Sequence, residues 1–366
     1  MLNQATLLRW HGATDQRPVR RQEIDPIDLA LQGGGSHGAF TWGVLDRLLD
    51  DDTLAIDGIS GTSAGALNAA VLATGWAEGG RAGAKAALRA FWMDVASQHS
   101  PLGGCFGWRA GLAGFNLDMN PFYAWSQQFT RWFSPYQFNP RGDNPLRQVL
   151  QRHVKPQVLN RGPLSLFITA TAVHTGQPRV FDCHDLSIDA LLASACLPQL
   201  FRAVEIDGQP YWDGGYSGNP ALWPLIYNTD ALDVLLVKIN PLLRRGTPQT
   251  PDEIADRVNE ITFNAGLVGE MRAISFVDKL IEEGRILPGE YKHLRLHMVA
   301  DDEALAPLNA SSKLNTERAF LEALHALGHE AADRWWLAHR ASVGQRGTLD
   351  LQQTFLGPRL PPRAGR

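Results

Sequence analysis

The strongest constraint on the fold comes from two consecutive segments of the same design, each an apolar strand that runs into a glycine-rich turn and out into a helix. In the first, Asp28 to Gln32 reads as a short buried strand and Gly33-Gly34-Gly35-Ser36-His37-Gly38 as the turn. Ala39 to Leu49 follows, with apolar residues at 40, 44, 45, 48 and 49, a helical spacing. In the second, Ile56 to Ile59 leads into Gly61-Thr62-Ser63-Ala64-Gly65, and Ala66 to Ala70 reads as helix. Two such units in succession predict a parallel sheet covered by helices. Gly61 and Gly65 fit a sharp elbow, where backbones come together and a side chain obstructs. Ser63 at the apex projects above the first turn of the helix, whose free N–H groups and positive end favour developing negative charge.

The remaining chain continues the alternation. Ala84 to Ser97 reads as a helix with Leu88, Phe91, Trp92 and Val95 on one side, Pro145 to His153 as another, and Leu164 to Ala172 as a buried strand with a hairpin partner at Arg179 to Phe181. Ile188 to Ala195 is an expected helix, Val204 to Ile206 a short strand, and Asp233 to Ile239 a further buried strand. Ile254, Val258, Ile261, Ala265 and Val268 form a single apolar stripe expected to face the core of a long helix. His293 to Val299 is the last expected strand, and Thr316 to His339 reads as a helical pair broken near Gly328. The pattern predicts a parallel sheet covered by helices in one α/β domain over 27–345. It is flanked by a polar arm at 1–26, carrying Arg17, Arg20 and Arg21, and by a tail at 346–366 that is expected to be disordered from Gly357.

Residues 101–145 differ in character. They hold 11 aromatics, about a quarter of the segment, against 9% for the chain. This composition fits a satellite core, and it fits equally an acyl-chain pocket or lid whose glycines and prolines permit movement.

With 44% hydrophobic and 20% charged residues the chain is that of an ordinary globular protein, and its net charge of −4 gives no bulk attraction to nucleic acid. Cys105, Cys183 and Cys196 show neither disulfide-framework nor zinc-like spacing, which predicts a reduced, cytoplasmic chain without a cysteine-based metal site. The N-terminal MLNQATLLRWHG has no basic segment followed by an apolar core, and no apolar run approaches the ~18 residues of a membrane span. Contact with a membrane surface, peripheral to its inner face, stays open.

Gly-x-Ser-x-Gly alone does not separate a nucleophile from a plain turn in a chain with 35 glycines. Gly33 to Gly38 also satisfies G-x-G-x-x-G between a strand and a helix, with Asp51, Asp52 and Asp57 about 20 residues on, so a dinucleotide site is one reading of that loop. The other is a donor set for an oxyanion, since Gly34 and Gly35 carry no side chain to block close approach. A P-loop is excluded, because no Gly-Lys-Ser/Thr follows. A serine nucleophile needs a base. His293, His297, His325, His329 and His339 stand where the last member of a Ser-acid-His order is expected, but only His293 and His297 lie near a strand end. Asp213, by contrast, follows a Tyr211-Trp212 strand and precedes Gly214-Gly215, a tight turn that holds a carboxylate against a neighbouring loop.

These segments, GGGSHG at 33–38, GTSAG at 61–65 and DGG at 213–215, resemble the oxyanion loop, nucleophile elbow and aspartate turn of the patatin-like phospholipases. Ala193 to Pro198 and Asn219-Pro220 resemble that family's flanking stretches, and the resemblance covers roughly residues 27–240. It implies a three-layer α/β/α sandwich with a mostly parallel sheet, and hydrolysis of lipid acyl esters by a Ser63/Asp213 dyad without histidine, metal or organic cofactor. It also implies an oxyanion hole from Gly33, Gly34, Gly35 and Gly38, with Ala64 contributing, and a lipid or long-chain ester as the binding partner. Where the family carries arginine or lysine in the loop, this chain has His37, which either orders the loop by a hydrogen bond or makes the hole pH-sensitive. Cleavage of storage polyesters and lipid binding without turnover remain rivals within reach of the same residues.

Overall fold

Strand β1 (Ile27–Leu31) is buried along its whole length, and a strand with no wet face has to lie between two covering layers. The computed structural model describes residues 26–98, 111–118, 120–287 and 289–357. Most of the expected N-terminal arm, the first part of the aromatic segment with Phe106 and Trp108, and the end of the tail fall outside the described residues. The sheet contains β2 (Ile56–Thr62), β3 (Ser165–Ala172), β4 (Pro178–Phe181), β5 (Val204–Ile206), β6 (Gln209–Asp213), β7 (Asp233–Val237) and β8 (Arg295–Val299). Its order is β5-β6-β3-β2-β1-β7-β8, with β4 on β3. The run from β3 to β8 is parallel, and β4, β5 and β6 are antiparallel additions.

Helices follow in the order α1 (Gly38–Leu48), α2 (Ala64–Ser97), α3 (Pro121–Trp132), α4 (Pro135–Phe138), α5 (Pro145–His153) and α6 (Pro156–Leu159). After them come α7 (Ile188–Ser194), α8 (Trp223–Asn228), α9 (Pro251–Glu282), α10 (Asp302–Leu305) and α11 (Arg318–His339). Side-chain alternation along β1 separates the two cores. Ile27, Leu29 and Leu31 pack with α1, α2, α5, α7 and α11, whereas Ala30 joins Val234 and Leu236 against α8 and α9. The architecture is the expected three-layer α/β/α sandwich. The two helical stretches expected before and after residue 80 are both present in α2, which is broken between them by a kink at Gly79 and Gly80, where the backbone leaves helical geometry.

Two expectations need correction. The apolar stripe of α9 does not face the sheet: Ile254, Val258, Ile261 and Ala265 are exposed, and the buried residues are Glu260, Phe263, Asn264, Leu267, Met271 and Ile274. Both stripes have the same period, and the inner one contains polar residues whose burial is offset by partners: Arg244 and Arg257 bind Glu260, and Gln32 binds Asn264. Gly328 does not break a helix either. It lies inside the continuous α11, where a Cβ would run into the carbonyl of Phe40, and Gly43 meets the carbonyl of His325 in the same way. The pair of glycines lets α1 and α11 cross with their backbones in contact. Past α11, Thr348 and Leu349 donate to Leu296 O, and Phe355 is buried against the α9 side of the sheet.

Candidate active site

The register of β3 assembles the site. Thr169 lies opposite Thr62 at the end of β2, and the next residue, Ala170, lies opposite Asp213 at the end of β6. The residue after Thr62 therefore meets the carboxylate that ends β6. Ser63 has φ 52° and ψ −124°, a conformation that few non-glycine residues adopt. A Cβ on Gly61 would lie 2.7 Å from the backbone of Gly65, and one on Gly65 would enter the carbonyl of Leu31, so both glycines are required for the helix to return directly beneath the strand. The Ser63 amide donates to Ser194 Oγ at 2.9 Å, and Ser194 in turn donates to Thr169 O at 2.6 Å. This staple holds the strained residue in place.

The glycine loop divides into holders and free donors. Gly33 packs so closely that a Cβ would lie 2.6 Å from that of Ser63. Its N–H donates to Asn219 Oδ1 at 2.6 Å, and its carbonyl accepts from Asn240 Nδ2 at 2.7 Å. The N–H of Gly38 is also engaged, by the carbonyls of Gly35 and Ser36, and this glycine makes room for the Ala64 methyl. Neither amide is left for an oxyanion, contrary to expectation. Among the described residues no acceptor takes the N–H of Gly34 or Gly35, and Ala64 opens α2, where helix geometry leaves amides without intrahelical partners. Gly35 has φ +58° and sits beneath the backbone carbonyl of Lys313.

Asp213 is 1% exposed. Its N–H donates to Cys196 O at 2.8 Å, and its carboxylate accepts from Gly215 N at 2.7 Å. Burial pushes its pKa up to about 6, against the opposing pull of the Gly215 amide, the nearby Ser63 hydroxyl and the charge of Lys313. Gly214 fits under the carbonyl of Thr169 and Gly215 under the ring of Phe263, so the turn has no room for side chains. Among the described residues the histidines make their polar contacts elsewhere: His297 bonds Asp233 and Thr348, His325 faces Asp46, His329 faces Asp50 and His293 faces Asp278.

Residues 29–226 match the family model described as patatin-like phospholipase. The chain belongs to the patatin-like phospholipase family. Membership makes it a serine hydrolase of lipid esters. No curated protein sequence matches it. Among solved structures, VipD from Legionella pneumophila is similar at 14% identity and a TM-score of 0.40, covering 85% of this chain and 67% of that one. ExoU of the Pseudomonas aeruginosa type III secretion system, in its heterodimeric complex with SpcU, is similar at 21% identity and a TM-score of 0.31, covering 87% and 60%. The match spans less than two thirds of the chain in that ExoU structure, and the family assignment rests on the sequence match.

In this patatin-like site His37 does not face the crevice as a cation. It is buried, Nε2 lies 2.8 Å from Ser312 Oγ, and burial together with Lys313 and Arg244 holds its pKa well below the ordinary 6.5. Ser312 Oγ already donates to Asn309 O at 2.8 Å, so the neutral ring donates from Nε2. Ser194 falls in the Ala193 to Pro198 stretch already singled out, whereas three other supporting residues had no readable motif: Gln32, Asn240 and Lys313. Gln32 Oε1 accepts from Ile239 N and Asn240 N at 2.9 Å each, tying the loop to the end of β7. As for metal ligands, the described residues bring together only Asp182, Cys183 and His184, on the turn after β4.

The aromatic segment bridges the crevice from one rim to the other. At one end Leu117 N donates to Ser311 Oγ at 2.8 Å and Asn116 Nδ2 to Pro307 O at 2.9 Å, beside the residues that hold His37. At the other, Tyr136 Oη accepts from Ala203 N at 3.3 Å, just before the β5–β6 hairpin that ends in Asp213. Between them Phe122, Trp125, Phe129 and Phe133 stack in series along one face of α3, with ring centroids 4.8 to 5.7 Å apart. Trp125 and Trp132 are 58% and 79% exposed.

Proposed function

We propose that Ser63 and Asp213 form a two-residue hydrolytic centre that cleaves the acyl esters of phospholipids, lysophospholipids or other long-chain lipids. The observation that carries this reading is the register of β3, which pairs Thr62, the residue before Ser63, with Thr169 and the buried Asp213 with the adjacent Ala170. Ser63 Oγ attacks the ester carbonyl while its proton passes to Asp213. The N–H groups of Gly34, Gly35 and Ala64 receive the oxyanion. As the tetrahedral intermediate collapses, Asp213 returns the proton to the departing alcohol and an acyl-enzyme remains. Water then attacks that ester, Asp213 takes its proton, and Ser63 leaves reprotonated with release of the fatty acid. A pKa of about 6 suits both directions, since the group is ionised at neutral pH and still basic enough to accept a proton.

The exposed aromatics of α3 and α4 support peripheral contact with the lipid surface that presents the substrate. No described helix is long and apolar enough to cross a membrane. Fatty-acid release from phospholipid, lysophospholipid and neutral-ester vesicles, compared between the wild type and folded Ser63→Ala, tests the reading. Release that disappears in the variant supports it. Release that persists, or failure of a fluorophosphonate to label Ser63, overturns it.

A further inference from the structure

Lys313 is a cation set between the two halves of the site. It lies outside the family match, on the short 3-10 turn Ser311–Leu314. Its backbone carbonyl roofs Gly35, and its Nζ donates to Asn240 Oδ1 at 2.9 Å, the same amide that holds Gly33 O at 2.7 Å through Nδ2. On the other side Nζ lies 5.8 Å from the centre of the Phe263 ring, which covers Gly215 in the aspartate turn. The ammonium is thus bracketed by the oxyanion loop and the Asp213 turn, and its field reaches Asp213.

The anions around it are engaged elsewhere. Glu260 is held by Arg244 at 2.7 Å and by Arg257 at 3.1 Å, and Asp256 accepts from Ala310 N at 3.4 Å. Among the described residues no carboxylate forms an ion pair with Lys313. One of its three N–H donors is used by Asn240, and burial opposes its charge, so the pKa falls below the ordinary 10.5. Glu260, Asp256 and Asp213 pull it back up, and Arg244 lowers it further. His37, the ionisable side chain of the loop itself, is neutral and turned to Ser312. A half-sheltered ammonium with unspent donors beside an ester-binding loop suits an anion carried by the substrate.

We propose that Lys313 is the headgroup anchor: its Nζ binds the phosphate of a phospholipid whose ester carbonyl lies on the N–H groups of Gly34 and Gly35, so that the enzyme prefers phospholipids to uncharged esters of the same chain length. The inference rests on the Ser63/Asp213 reading. The oxyanion itself is uncharged in the bound substrate and common to both substrate types, whereas a phosphodiester is an anion from the moment of binding. Lys313 therefore acts on substrate choice and on KM.

The test compares wild type, Lys313→Met and Lys313→Arg on mixed micelles of phosphatidylcholine and on diacylglycerol with the same acyl chains. Loss of a charge-assisted hydrogen bond predicts that the ratio of kcat/KM on phosphatidylcholine to that on diacylglycerol falls about ten- to a hundredfold in Lys313→Met, mainly through KM for phosphatidylcholine, with substantial recovery in Lys313→Arg, whereas any loss passed on through Asn240 or Asp213 falls on both substrates alike and leaves the ratio unchanged. Equal losses on both substrates, or no loss on either, overturn the proposal. Titration with glycerophosphocholine gives a readout independent of turnover: binding weakens about tenfold or more in folded Lys313→Met and persists in Ser63→Ala. If Ser63→Ala retains hydrolysis, the catalytic reading falls while this titration still decides the role of Lys313, and binding unchanged in Lys313→Met refutes that role.

Discussion

The crevice and the segment that crosses it are built on opposite principles. Around Ser63 and Asp213 the positions are set by backbone: carbonyls of Leu31 and Thr169 sit against Gly65 and Gly214 with no space for a methyl group, and side-chain amides of Asn219 and Asn240 clamp Gly33. Across the opening, α3 and α4 are defined by large side chains, several of them in solvent, held at the two rims by a few polar contacts. Chemistry on an ester carbonyl tolerates little displacement, and close-packed backbone supplies that rigidity. Contact with a lipid surface, proposed above for α3 and α4, needs apolar area more than fixed geometry. On that proposal the two tasks fall to separate materials.

The largest effect that sharpens this contrast is at Asp213. Asp213→Asn removes the proton acceptor but keeps the hydrogen bond from Gly215, and hydrolysis is expected to fall by about 10³- to 10⁴-fold. Stability moves the other way. The folded state binds this proton more tightly than the unfolded chain, so the wild type loses stability as pH rises from the ordinary 3.8 through about 6 and does not regain it above. At about 1.36 kcal/mol per pH unit that loss approaches about 3 kcal/mol. Urea denaturation at pH 8 should therefore show Asp213→Asn to be more stable than wild type, with the difference vanishing towards pH 4. A variant destabilised at pH 8 would refute this account of the buried carboxylate.

Gly65→Ala comes next. Its methyl group meets the carbonyl of Leu31, and the expected cost is about 3 kcal/mol or loss of soluble protein, read by the same denaturation curves. The pH profile follows: kcat/KM should fall about tenfold per unit below a midpoint near 6, as Asp213 takes up its proton. His37→Gln should leave that midpoint in place, because His37 is already neutral there. A midpoint that moved with His37 would revive a pH-sensitive hole. Trp132→Ser is the smallest change in stability, within about 0.5 kcal/mol, since the ring is 79% exposed. Co-sedimentation with liposomes should nevertheless drop while turnover of a dissolved short-chain ester stays constant. A crevice that lost activity along with this ring would break the separation of tasks.

The same division explains what could be read from the chain beforehand. Gly33, Gly61, Gly65 and Gly214 stand at fixed spacings because each is met by backbone within the site, and Gly215 because it is met by the ring of Phe263, so the constellation and the alternation of strands and helices were visible as pattern. Asn240 and Lys313 were not. Asn240 Nδ2 bonds Gly33 O and Lys313 roofs Gly35, contacts separated by more than 200 residues that leave no local trace. The orientation of α9 was hidden for a related reason: Glu260 and Asn264 are buried because Arg244, Arg257 and Gln32 satisfy them, and hydrophobic periodicity counts such residues as surface. Gly328 read as a helix breaker because the helix that presses on it lies almost 300 residues away.

The crossing of α1 and α11 and the place of β1 between β2 and β7 also set a timetable. On the ribosome the nucleophile emerges early, the strand that completes β1's pairing only after the aspartate turn, and the helix that clamps α1 much later still. A nascent chain cut off after the aspartate turn has Ser63 and Asp213 without β7, Asn240, Lys313 or α11 to fix the loop between them. Synthesis thus delivers the reactive groups before the scaffold that aligns them, and a half-made chain carries both without an assembled site.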